Sequence, residues 1–255
     1  MKLEICVDSV ESSIAAACGG AQRVELCSAL SEGGITPSSG LIYAVRKAIF
    51  IDVFVIIRPR GGDFVYSDFE FEVMRKDICT AKQLGANGVV LGLLTAEGRV
   101  DKTRTRSLIE LARPMQVTFH RAFDVAINLE DALEDVIACG ADRILTSGGE
   151  VSAQRGVKTI ATLNKIASGR IHIMAGGSIR VSNVRAIVQR SGVNEVHTSL
   201  STKIASTAHH GNQHVHIGSQ PNEFTRCVVL EEDVRAMEST LDVVRVEKAE
   251  KVIMK

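Results

Sequence analysis

Cys6 and Cys27 stand at the same parity of two short apolar–polar alternations, LEICVD (3–8) and RVELC (23–27). Neighbouring strands lie about 4.8 Å apart, so two thiols at matching height can grip one soft ion. Cu(I) is well served by such thiolates. Free cysteine is also a small apolar core residue, and that reading stays open here. A second set is ionisable: Glu25, Arg58, His120 and His197 end further alternations. Such groups act as general acid, general base or charge stabiliser. A third set suits an anion. Arg60, in the run Arg58-Pro59-Arg60-Gly61-Gly62-Asp63, joins Arg121, Asp124, Ser147, Ser199 and the pair Gly176-Gly177. Guanidinium groups hold carboxylate or phosphate bidentately, and glycine backbone offers N–H groups to an anion. The same charges could instead compensate one another, Glu25 with Arg58 and Asp63 with the arginines, as a polar core.

These residues need a scaffold that points them one way. Eight β-like runs begin near residues 3, 23, 53, 88, 117, 143, 171 and 195. In several, one parity is apolar (Leu3, Ile5, Val7; Val24, Leu26; Val117, Phe119) and the other polar (Glu4, Cys6, Asp8; Arg23, Glu25, Cys27; Thr118, His120). Alternation puts the two sets on opposite faces. An open doubly wound sheet wants both faces apolar; a closed barrel buries its outer face under helices and can turn a polar set inward. A degenerate repeat supports closure. Gly20-Ala21-Gln22-Arg23, Gly85-Ala86-Asn87-Gly88, Gly140-Ala141-Asp142-Arg143 and Gly192-Val193-Asn194-Glu195 each read as a helix-ending glycine, a polar turn and a strand. Helical spacing joins Val73, Ile78, Ala81 and Leu84, and likewise Leu129, Leu133, Val136 and Ile137. The fold class predicted is α/β, a TIM-type (β/α)8 barrel, with function at the C-terminal strand ends.

Residues 1–246 read as one domain. Residues 201–222 lack periodicity and are expected to form a loop, 231–246 a closing helix, and 247–255 a charged, frayed tail. His209, His210, His214 and His216 crowd that loop and could take Zn or Cu(II), although a polar surface loop is the favoured reading. Cys18, Cys79, Cys139 and Cys227 are expected to pack. Ser147 has no G-x-S-x-G setting, so no hydrolase triad is predicted.

The 255 residues carry 45% hydrophobic and 24% charged residues at zero formal net charge. No basic excess points to nucleic acid or a membrane surface. The opening MKLEICVDS enters a strand at once, and no secretory signal or spanning segment is expected. Six cysteines in so long a chain suggest reduced thiols and a cytoplasmic location rather than a disulfide scaffold.

The segments EICVDSVES (4–12), GGAQRVELCSALSEGGITPS (19–38), VFVIIRPRGGDFVYSD (53–68), GVVLGLLT (88–95), PMQVTFHRAFD (114–124) and DRILTSGG (142–149) resemble the CutC copper-homeostasis family. The resemblance spans about residues 3–199. It implies a TIM-like barrel, a soluble cytoplasmic protein that forms a homo-oligomer, and copper handling with Cu(I) held by Cys6 and Cys27. Two places depart from the family pattern: Ala175-Gly176-Gly177-Ser178 replaces Pro-Gly-Gly-Gly, and Leu200-Ser201 follows Ser199 without the usual basic residue. The alternative expectation is a metal-independent barrel enzyme. There Arg58 and Arg60 would hold a small carboxylate or phosphate substrate, with His120 or Glu25 as acid or base.

Overall fold

The computed structural model describes residues 1–208 and 224–253. The eight alternating runs become parallel strands β1 (Lys2–Val7), β2 (Arg23–Leu26), β3 (Asp52–Ile56), β4 (Gly88–Leu91), β5 (Gln116–Phe119), β6 (Arg143–Thr146), β7 (His172–Ala175) and β8 (Glu195–Thr198). They close into a barrel in chain order, with β8 pairing back on β1. Helices α1 (Val10–Cys18), α2 (Ser39–Ala48), α3 (Asp68–Gln83), α4 (Lys102–Ala112), α5 (Leu129–Cys139), α6 (Val157–Ala167) and α7 (Val181–Ser191) fill the crossovers. The apolar parity faces these helices. Leu3, Ile5, Val24, Val53, Val89, Val117, Ile144 and Val196 are all buried there with the inner stripes of the helices. Each such aliphatic side chain stabilises the fold by roughly 1.5–3 kcal/mol.

The repeat has a physical basis. Its polar turn residue caps the neighbouring strand: Leu3 N–H donates to Gln22 Oε1 at 2.8 Å, Val53 N–H to Asn87 Oδ1 at 2.9 Å and Val117 N–H to Asp142 Oδ2 at 2.7 Å. Buried backbone donors at the barrel's lower rim are thereby satisfied. The preceding glycines end their helices in the left-handed region, Gly140 at φ 88° and Gly192 at φ 75°.

Inside the barrel the polar parity forms a layer of buried ion pairs. Register sets Glu4 beside both Arg23 and His197. Arg23 donates to Glu4 and, at 2.6 Å, to Glu195, which also accepts from Arg143 at 3.1 Å. The Arg23 guanidinium lies 4.8 Å from the Phe54 ring centroid. Above this layer, a small cluster of Cys6, Cys27, Phe54, Ile56 and Val90 is packed separately from the outer core.

Beyond β8 the fold departs from expectation. Ser201–Ala205 is not loop but strand β9, antiparallel to β10 (Thr225–Val229). Its partner comes from across residues 209–223, a pairing no local pattern announces. Helix α8 (Glu231–Ile253) runs through much of what reads as a frayed tail. Glu247 accepts from Gln189 at 2.7 Å and pairs with Arg185, while Lys248 reaches the Val193 carbonyl at 2.9 Å, so α7 and the β8 entrance hold it. His209, His210, His214 and His216 lie outside the described residues. No helix among the described residues is long and apolar enough to cross a membrane.

Candidate metal and ligand site

Register between β1 and β2 pairs Cys6 with Glu25, and Cys27 follows one alternation higher. The two sulfurs lie 3.5 Å apart. Cys27 Sγ is also 3.6 Å from Glu25 Oε2. One donor atom from each of Cys6, Glu25 and Cys27 lies within 4.8 Å of the others, and all three residues are buried. His197 enters from β8. Its Nδ1 sits 2.7 Å from Glu4 Oε1 and its Nε2 3.8 Å from Glu25 Oε2.

The electrostatics divide these groups into unlike pairs. The hydrogen bond from Cys27 lowers the Cys6 thiol to about 6, and His197 adds to this against the cost of burial. The same hydrogen bond, with burial, pushes the Cys27 thiol well up. Burial and then the Cys6 charge raise Glu25 well above the usual carboxylate range. Burial disfavours the His197 cation, but Cys6, Glu4 and Glu25 outweigh it and hold the imidazole protonated. Glu4 behaves inversely: burial opposes its charge, while Arg23 and His197 keep it ionised. Near neutral pH this favours a Cys6 thiolate facing His197 and disfavours charge on Cys27 and Glu25. Alkylation of metal-free protein, followed peptide by peptide, should give Cys6 a midpoint near pH 6 and leave Cys27 in the thiol form. Cys6 reactivity still climbing beyond pH 8, as an unperturbed thiol near 8.5 would, is the contrary result.

Above the thiols opens a cavity of about 840 Å³. Cys6, Glu25, Arg58, His120, Arg121, Gly177, His197 and Ser199 all line it. Cys27 lies just beneath, 1% exposed. Arg58 does not pair with Glu25. Its Nη1 donates to the carbonyls of Glu32 and Gly34 at 2.7 and 2.8 Å, and its Nη2 to that of Gly62 at 2.9 Å, so it braces two loops. Arg60 does not join the cavity: Glu70 at 2.6 Å and Asp63 at 3.0 Å hold it outside. Asp124 is a hub. It accepts from Ser147 N–H at 3.0 Å, Gly149 N–H at 3.0 Å and Arg121 Nε at 2.7 Å, leaving Ser147 and Asp124 as supports for Arg121. Gly176 makes room for Leu145 and His197; a Cβ there would stand 2.5 Å from Leu145 Cδ1.

Sequence reasoning missed four members of this region. Glu4 reads as one more inward acid, yet it orients His197. Arg180, Lys203 and Cys227 line the cavity from the β7 loop and the hairpin. Cys227 is exposed at this rim rather than packed. The hairpin residues could be found only by knowing that β9 and β10 pair. Ala29 (φ 49°) and Ser178 (φ 55°) on the cavity wall, with Leu200 (φ 43°) between two further lining residues, hold left-handed backbone without being glycine. Such strain costs of order 1 kcal/mol each and clusters at functional sites.

The CutC family model matches residues 1–202. A CutC family protein of Chromobacterium violaceum is 48% identical over 241 residues, covering 94% of this chain and 98% of that one. The human copper homeostasis protein cutC homolog is 48% identical over 217 residues, covering 85% and 80%. Among solved structures, the putative copper homeostasis protein CutC of Streptococcus agalactiae superposes with a TM-score of 0.74 at 34% identity, covering 77% and 97%. With a match that extends through all eight strands, the chain belongs to the CutC family.

Proposed function

We propose that this chain binds Cu(I) through Cys6 and Cys27 and serves copper homeostasis in the reducing cytoplasm. The observation that carries this is the 3.5 Å approach of two buried sulfurs at the floor of an open cavity. One ion can bridge them at metal–thiolate bonds of about 2.3 Å. The donor set is soft. Burial disfavours charge on Glu25, and His197 Nδ1 is engaged by Glu4 at 2.7 Å, which leaves the two thiols as the foremost donors. Two sulfurs without further ready donors suit Cu(I) better than zinc, which takes four ligands in structural sites. The relatives named for copper homeostasis support the same cargo. Cys6 offers the ready thiolate, Cys27 gives up its proton on binding, and His197 and Glu4 hold the first sulfur's charge in place.

An anaerobic Cu(I) titration against a competing chromogenic chelator tests this on wild type and on Cys6→Ser/Cys27→Ser. The expected result is one tight equivalent in wild type and none in the double variant. Binding that survives the double substitution, or no binding at all, removes the site.

A further inference from the structure

We propose that the barrel mouth is a binding site for a small oxyanion, a phosphate or carboxylate group, held by Arg121, Arg180 and Lys203 above the thiol pair. The assignment is independent of the copper reading. A cavity of about 840 Å³ is the size of an organic ligand's pocket and far exceeds a bare ion. Its charge is one-sided although the chain as a whole is neutral. Arg58, Arg121, Arg180 and Lys203 line it, against two carboxyls, Asp8 and Glu25.

The cations differ in what they have free. Arg121 is fixed in plane: Nε donates to Asp124 at 2.7 Å and Nη2 to Ser147 Oγ at 2.9 Å. Gly177, at φ 101°, lies beside it: a Cβ there would stand 3.6 Å from the guanidinium carbon, within ordinary contact. Nη1 has no partner among the described residues. Arg180 uses Nη1 on the Ile179 carbonyl at 2.8 Å, and its other guanidinium nitrogens have no partner among the described residues. The Lys203 ammonium, on β9, has no hydrogen bond or ion pair among the described residues. Exposed cations are ordinarily satisfied by water, so these three alone would carry little.

The buried wall supplies the second observation. His120 Nε2 and Arg58 Nε are buried with no hydrogen-bond partner among the described residues, and both residues, 5% and 6% exposed, line the cavity. Ala122 N–H donates to His120 Nδ1 at 3.1 Å, which puts the imidazole proton on Nε2. Burial, then the Arg58 charge, lowers His120 to about 3, in keeping with a neutral ring that donates. Unsatisfied buried donors are rare and point to a missing acceptor. The unpartnered nitrogens on this wall are all donors, and an oxyanion offers only acceptors. Charge-assisted bonds to guanidinium and ammonium then set its strength.

Isothermal calorimetry on metal-free protein, at fixed ionic strength in chloride, tests the site with inorganic phosphate in one arm and malonate in the other. Saturable binding is expected in at least one arm, and whichever saturates identifies the ligand class. Arg180→Gln/Lys203→Gln changes two exposed side chains, so the fold is retained, and should weaken that binding by about tenfold or more. Absence of saturation in both arms, or undiminished affinity in the double variant, overturns the proposal. Because no copper is present, neither result bears on the thiol pair.

Discussion

Arg23→Met is expected to destabilise the chain by about 3–5 kcal/mol, the usual cost of removing one partner from a buried charge pair. Arg23 is fully buried and joins two carboxylates that share the barrel interior, Glu4 and Glu195. Methionine fills similar volume but leaves Glu195 with Arg143 and, at 4.0 Å, His172, and Glu4 with His197. Two negative charges would then face each other in a low-dielectric interior with fewer partners. The effect should reach the thiols, because Glu4 fixes the ring whose other nitrogen faces Cys6 and Glu25. Urea denaturation of the two proteins measures the shift. A loss below about 1 kcal/mol, the centre of ordinary point substitutions, would mean the layer is not energetically coupled.

Why this layer escaped the sequence reading is instructive about what patterns carry. The inward parity of Glu4, Arg23 and Glu25 is legible, because alternation requires only local spacing. Partner choice is not. Arg23 meets Glu195, and Glu4 meets His197, only because β8 closes onto β1 in a specific register. Closure itself was legible from the eight strands, whose predicted starts fall within a residue of those observed. The thiol pair is legible as two cysteines at one parity, whereas their 3.5 Å approach depends on the β1–β2 register. Arg58 and Arg60 show the opposite limit. Adjacent in an evident motif, they part company: one braces carbonyls beside the cavity and the other faces outward to Glu70 and Asp63. Loop conformation decides this, and no periodicity encodes it. Lys203 and Cys227 reach the mouth through a strand pairing that spans the 209–223 segment, beyond any local window.

Gly156→Ala should lower stability by about 3 kcal/mol, the upper end of ordinary overpacking effects. Nothing in the backbone of Gly156 demands glycine: φ is −81° and ψ 7°, open to any residue. The demand comes from close approach. A Cβ here would stand 1.8 Å from the Ser147 carbonyl oxygen, 2.9 Å from its carbon and 3.0 Å from Gly148 Cα. All three are main-chain atoms, so no rotamer change relieves the overlap and one loop must move. Ser147 cannot yield cheaply, since its N–H and hydroxyl are both held by Asp124 at 3.0 Å. If it moves, the Ser147 hydroxyl that holds Arg121 moves with it. The variant should therefore combine a lower urea midpoint with weaker phosphate or malonate binding, whichever the wild type shows. A midpoint change worth less than about 0.5 kcal/mol would place the slack in the 148–156 loop and detach Gly156 from the mouth. A large stability loss with unchanged anion affinity would show instead that α6 retreats while Asp124 keeps Ser147 and Arg121 in position.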